Sequence, residues 1–348
     1  MKLVRVPVRP LWAGLPVLLV ALVALVAGCG PYPENTFAPT TEYAHDIANV
    51  FIGIIVVAVV VFALVEALLI YAAVRFRGKP GDPRPRAIHG NTRLEIIWTI
   101  LPVIVLIVIA IPTIAQIFQY QGDPPPNSLQ VTATGHQWWF EFKYPDQKIE
   151  TADEMHLVVG RTANLALQSN DVLHSFWPPK LAGKRDMIPN HTNYMWFTPQ
   201  EMGTDLGSCV EFCGESHAKM GFSTVIQSPA DFDAWVKAQQ AVPAPPTDPT
   251  LQRGAKVFQS AGCSGCHTIA GTQAKGMIGP NLTHVGSRET IAATWLTNDE
   301  ASLKIWIRDP AATKPGEGKS AWTMPAYSAQ QISDGDLDAL AKYLKSLK

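Results

Sequence analysis

Two apolar runs, Val50 to Val74 and Ile96 to Phe118, constrain this chain more than any other feature, since each is long enough to cross a bilayer core of about 30 Å. The first is broken only by Glu66 and the second carries no charge. Between them Arg75, Arg77, Lys79, Arg84, Arg86 and Arg93 stand against Asp82 alone, which places residues 75–95 in the cytoplasm by the positive-inside rule. Everything before 50 and after 118 is then expected outside, as a two-helix transmembrane hairpin (50–74 and 96–118) followed by extracytoplasmic domains. Glu66 is costly in lipid and is expected to face protein.

At the start, Lys2, Arg5 and Arg9 precede the uncharged stretch Leu11 to Gly28, the pattern of a signal peptide over 1–28. Val26-Ala27-Gly28-Cys29 is similar to a bacterial lipobox, and Cys29 is the expected lipid-bearing residue at the head of the segment 29–49.

After Gly122 the chain turns to GDPPPNS and then to strand-like runs at Leu129–Thr134, Trp138–Tyr144, Leu157–Val159, Leu165–Gln168, Tyr194–Phe197 and Phe222–Gln227. Alternation and turn signals argue an antiparallel β sandwich over 119–240. Neighbouring residues of a strand face opposite sides, so one ring of Trp138-Trp139 is expected to be exposed. Within this stretch Cys209 to Met220 reads CVEFCGESHAKM, with His174 upstream in DVLHSFW. A mononuclear blue-copper site uses two His, one Cys and a weak Met; His174, Cys209, Cys213, His217 and Met220 offer one thiolate more, which suggests two coppers bridged by two sulfurs. A Cys2His2 zinc site would leave Met220 unused, and a Cys209–Cys213 disulfide would leave both His and the Met unexplained. Asp171 is a candidate to orient His174.

Ala241 to Pro249, AVPAPPTDP, is a semi-rigid spacer. Beyond it, Cys263-Ser264-Gly265-Cys266-His267 is a CxxCH, which attaches a c-type haem through two thioethers with the His as axial ligand. Met324, in Thr323-Met324-Pro325-Ala326-Tyr327, is the expected sixth ligand, ahead of Met277 and His284. Leu337, Leu340, Leu344 and Leu347 share one face of a terminal helix that should pack against the helix leading into Cys263. Five Cys thus divide into one anchor, two copper bridges and two haem thioethers, leaving none for a structural disulfide. A net charge of −1 gives no sign of nucleic-acid binding.

The motif CxExCGxxHxxM with its upstream His resembles the CuA site of cytochrome c oxidase subunit II, and CxxCH with GPNL (Gly279–Leu282) and MPAY resembles a class I cytochrome c. Together they resemble a caa-type subunit II with a fused C-terminal cytochrome c. That resemblance implies an all-β cupredoxin-like CuA domain at 119–240, a linker at 241–249 and an all-α cytochrome domain at 250–348. It implies Glu211 as a carbonyl ligand of copper and side-chain ligand of a magnesium at the subunit boundary. Trp138, in a motif related to the family's GHQWYW, would be the electron entry, and Glu95, in LEIIWTILP, the mouth of a proton path. It further implies a catalytic subunit I and further oxidase subunits as partners, with reduced cytochrome c or a quinol-oxidising complex as donor. The alternatives are the electron-input subunit of a CuA-containing nitric oxide reductase and, in another class, a copper-delivery or thiol-redox lipoprotein.

Overall fold

The computed structural model describes residues 32 and 34–348, apart from 79–80, 82, 84–86, 88 and 321. The expected leader and Cys29 lie outside the described residues.

Two long helices, α1 (Glu42–Arg75) and α2 (Thr92–Gln121), contain the two apolar runs. At 1.5 Å per residue they are about 51 and 45 Å long, more than a bilayer core needs, and the surplus of one end is fixed to the β domain. There Thr41 caps α1, accepting from Ala44 N–H while its hydroxyl donates to the Leu181 carbonyl. Tyr120 stacks on Tyr43 with ring centroids 3.9 Å apart and donates to Asp46 at 2.6 Å. At the other end Asn91 caps α2, and the Glu95 carboxylate accepts from Asn91 N–H at 3.1 Å, the ordinary use of an acid in a first turn. Glu66 is exposed on the surface of α1.

Ten strands build the sandwich: β1 (Leu129–His136), β2 (Trp139–Tyr144), β3 (Ile149–Ala152), β4 (Glu154–Val158), β5 (Ala163–Ser169), β6 (His174–Trp177), β7 (Arg185–Met187), β8 (Asn193–Phe197), β9 (Gly203–Cys209) and β10 (Gly221–Gln227). They form two five-stranded sheets, ordered β3-β2-β1-β5-β8 and β4-β10-β9-β6-β7. The expected antiparallel pattern needs correction, because β1 pairs with β5 and β10 with β4 in parallel. A parallel pair needs a long connection, and here intervening strands supply it, a feature invisible to local periodicity. Phe140, Phe142, Phe176 and Phe222 fill the space between the sheets, each fully buried. Gly207 opposes Phe222 across the ladder, and a Cβ there would lie 2.2 Å from the ring, so the glycine is the space the ring occupies.

The helix α3 (Pro229–Gln240) closes the sandwich, and an extended segment leads to α4 (Pro249–Ser260), whose N-cap is Asp248. Pro249, expected in the linker, is the first residue of this helix, where its fixed φ and missing N–H cost nothing. A short ladder pairs β11 (Thr290–Ile291) with β12 (Leu296–Thr297); α5 (Glu300–Arg308), a short α6 (Pro310–Thr313) and α7 (Asp334–Ser346) complete the C-terminal domain. Leu337, Leu340, Leu344 and Leu347 are all buried. α7 crosses α4 at Gly254, where a Cβ would lie 2.1 Å from the Ala339 carbonyl oxygen.

Gly254→Ala must therefore push the two helices apart. The expected cost is about 1–3 kcal/mol, in the range of overpacked cores. In thermal unfolding of the full chain this should appear as an earlier transition of the C-terminal domain, with that of the β domain unmoved.

Candidate functional site

His174 opens β6, and Cys209 closes β9, one strand away in the same sheet; Cys213, His217 and Met220 lie on the loop that returns to β10. The fold brings their donor atoms together. The sulfurs of Cys209 and Cys213 are 3.8 Å apart, His174 Nδ1 is 3.9 Å from Cys209 Sγ, and His217 Nδ1 is 3.7 Å from Cys213 Sγ. Met220 Sδ lies 3.9 Å from Cys213 Sγ, and the Glu211 carbonyl oxygen 3.3 Å from Cys209 Sγ. All four described cysteines are free thiols, and 3.8 Å is far beyond a sulfur–sulfur bond of about 2.05 Å.

Neighbouring residues orient these donors. A carboxylate can only accept, so the 2.7 Å contact between Asp171 Oδ1 and His174 Nε2 places the imidazole proton on Nε2 and leaves the Nδ1 lone pair facing the sulfurs. Asp171 is itself held by Gln137 N–H at 2.7 Å. Gly135 on β1 faces the His174 ring, where a Cβ would fall 2.8 Å from Cδ2. Electrostatics split the two thiols: the Cys213 S–H donates to Cys209, which outweighs burial and holds Cys209 well below the ordinary thiol range, while the same contact and burial hold Cys213 up. Two buried thiolates 3.8 Å apart would repel one another, and a cation between them would relieve that repulsion. The donor set of two sulfurs, two imidazoles, a thioether and a carbonyl fits soft copper chemistry.

The Glu211 side chain points the other way, its carboxylate 3.7 Å from Lys184 Nζ. His191 is exposed and is no part of the cluster.

In the C-terminal domain a cleft is lined by Cys263, Cys266, His267 and Met324. His267 Nδ1 donates to the Pro280 carbonyl at 2.7 Å, so its Nε2 lone pair is free. Burial pushes its pKa down, keeping the ring neutral as a ligand must be. Gly279 lets the GPNL loop press on that ring, since a Cβ would be 2.6 Å from its Cε1. Of the three axial candidates, Met324 borders the cleft; Met277 is 89% exposed, and His284 is buried elsewhere. An apolar cleft holding two thiols, a neutral imidazole and a thioether fits a covalent haem.

Gln137, Trp139 and Asp153 of the β domain also line this cleft. Trp138 departs from expectation: it belongs to the turn between β1 and β2 rather than to a strand, and it is buried, with 6% exposed. Its indole N–H donates to the Cys213 carbonyl at 3.0 Å, and the Gln137 side-chain amide donates to the same oxygen at 2.7 Å. The C-terminal domain covers the ring. Trp139 stacks on His136 at 4.2 Å and is half-buried. Sequence reading missed Gln137, Asp153 and Lys314, whose importance arises from a contact between domains that no local pattern signals.

Comparison with known proteins gives three matches along the chain. Residues 36–115 match the transmembrane domain of cytochrome C oxidase subunit II, residues 147–228 its periplasmic domain, and residues 251–348 cytochrome c. Cytochrome c oxidase subunit 2 of Alkalihalophilus pseudofirmus is 39% identical over 316 residues, covering 89% of each chain. The protein of that name from Bacillus sp. strain PS3 is 34% identical over 343 residues, covering 93% of this chain and 94% of its own. That of Bacillus subtilis is 31% identical over 352 residues, covering 95% and 97%.

Asp171→Asn should weaken copper binding roughly 10–100-fold, the usual effect of losing the partner of a ligating His. Competition with a copper chelator measures it; an unchanged affinity would show that Asp171 does not orient His174.

Proposed function

The chain belongs to the cytochrome c oxidase subunit II family, and we propose that it is the electron-input subunit of a terminal oxidase, relaying electrons from a haem in its C-terminal domain, across Trp138, to a copper centre and on to a catalytic subunit. Membership makes it a membrane-anchored subunit of a haem-copper oxidoreductase; its cytochrome c domain implies haem c, and its oxidase domain implies CuA. One observation carries the relay reading. Trp138 donates to a carbonyl of the thiol loop while a turn of the cytochrome domain packs on its ring, so a single indole touches both modules.

The haem and the copper pair, when bound, supply the one-electron chemistry. Cys263 and Cys266 would tether the haem, and His267 through Nε2 and Met324 through its sulfur would hold its iron. Cys209, Cys213, His174, His217, Met220 and the Glu211 carbonyl would hold the copper. Cys209 and Cys213 are 4% and 3% exposed, which suits closed ligands and not the accessible dithiol of a thiol-redox protein. A magnesium on the Glu211 carboxylate would have to displace Lys184.

The basic segment between α1 and α2 supports a two-pass arrangement in a bacterial cytoplasmic membrane, with copper and cytochrome domains on the outer face. A cleaved leader and a lipid on Cys29 complete this topology. Glu95 would stand at a proton entrance of the catalytic subunit, and the donor would be reduced cytochrome c or a quinol-oxidising complex.

Metal analysis and electron paramagnetic resonance of the purified full chain test the reading. Two coppers per haem with a mixed-valence signal are expected; zinc, or one copper, would sink it. Co-purification with a non-haem-iron catalytic subunit would move the acceptor to nitric oxide.

Two substitutions check the ligands. Met324→Ala should leave the haem covalently attached, lower its potential and open it to added ligands; an unchanged potential removes Met324 as ligand. Met220→Leu should perturb the copper spectrum and spare the haem spectrum.

A further inference from the structure

The two redox modules need a fixed mutual orientation, and the linker cannot give it. We infer that the turn Thr313–Lys319 of the cytochrome domain is a docking clamp on the copper-ligand loop, with Lys314 and Gly316 as its positioning residues. This rests on the relay reading above.

Five of the seven residues of the turn meet the β domain. The Thr313 carbonyl accepts from Lys219, the Lys314 ammonium donates to the Trp138 carbonyl, and the Pro315 carbonyl accepts from the Ser216 hydroxyl. Gly316, at φ +100°, lies on the Trp138 ring, where a Cβ would fall 2.4 Å from Cη2. Lys319 pairs with Glu215. The partners Glu215, Ser216 and Lys219 alternate with His217 and Met220 along the loop, so the clamp grips the segment that carries the copper donors. Its other side reaches the segment of the candidate sixth ligand: the Glu317 carboxylate accepts from Met324 N–H at 2.8 Å. One turn is therefore tied to the sixth-ligand segment of one centre and to the ligand loop of the other.

Lys314 is the unusual member. It is 2% exposed, and its ammonium finds a carbonyl of the opposite domain, with Asp153 and Glu317 supplying negative charge nearby. Burial pushes Lys314 below the ordinary lysine range and Asp153 up to about 6, so desolvation outweighs their attraction. Charges buried at that cost specify an orientation more than they add affinity, because any shifted docking leaves the ammonium without a partner. Gly316 acts by shape: a left-handed glycine permits the close approach to Trp138 that a side chain would prevent.

The test uses the full chain in detergent, loaded with haem and copper. A ruthenium photoreductant with a sacrificial amine delivers one electron to the ferric haem; the resulting ferrous haem is reoxidised as the oxidised copper pair takes that electron up. Lys314→Met, which removes a buried charged partner, and, separately, Gly316→Ala, whose Cβ would meet the Trp138 ring, should each slow this transfer roughly tenfold or more. Lys314→Arg should retain most of the rate. Amide hydrogen exchange supplies a readout apart from turnover, on haem-loaded chain with and without copper. Both variants should deprotect 137–140 and 215–220 while α4 and α7 stay protected and the haem and copper spectra stay unchanged. Wild-type rate and protection in both variants would overturn the clamp while leaving the relay intact. Fully loaded wild-type chain that passes no electron from haem to copper would overturn the relay, and the clamp with it.

Discussion

The carbonyl oxygen of Cys213 accepts two hydrogen bonds, from the Gln137 amide and the Trp138 indole, and much of the structure is arranged around that oxygen. A carbonyl has two lone pairs, and here both are used. The bonds tie the β1–β2 turn to the thiol loop, so the loop that carries three candidate ligands is held by the sandwich rather than free in solvent. They also set the plane of the Trp138 ring, whose far edge is then available to the cytochrome domain. Gln137 extends the link, since its backbone N–H holds Asp171, which in turn holds His174. Both ends of the donor cluster are therefore braced from one turn.

The same economy joins the membrane hairpin to this domain. Extra length in α1 and α2 beyond a bilayer core carries Tyr43, Asp46 and Tyr120 into contact with one another, and Thr41 into contact with Leu181. Trp196 on β8 donates to the Gly122 carbonyl at the end of α2. A helix pair bound at one end by hydrogen bonds and stacked rings fixes the sandwich relative to the two apolar helices. The relay proposed above would need that fixed position.

Legibility in the sequence followed the range of the physics. The apolar stretches 50–74 and 96–118 within the helices Glu42–Arg75 and Thr92–Gln121 were readable because lipid demands a continuous apolar run, and the terminal helix because Leu337, Leu340 and Leu344 repeat with its period. The residues that gather at the thiol cluster and at the cleft could be singled out because soft metals and covalent haem accept few residue types at few spacings. The parallel pairs β1–β5 and β4–β10 were not, since periodicity reports which face is buried and says nothing of the neighbour's direction. The burial of Trp138 was also hidden. Its cover, Gly316, lies far along the chain, and a glycine in a Gly-rich turn carries no sign of what it will touch.

Tethering and docking solve different problems in such a chain. A proline-rich linker raises the effective concentration of one module near the other, which removes the diffusive search. Concentration alone leaves orientation open, and a cytochrome domain free to turn would present its cleft to the copper loop only part of the time. An apolar interface would hold the modules together yet tolerate sliding, because hydrophobic attraction is non-directional. Hydrogen bonds have direction, and a buried ammonium without its carbonyl partner is costly enough to exclude neighbouring registers. The interface is accordingly polar where it touches Trp138 and the thiol loop, with Lys219, Lys314 and Lys319 each meeting a specific oxygen across it. The covalent connection therefore keeps these domains close, and the contact surface fixes their orientation.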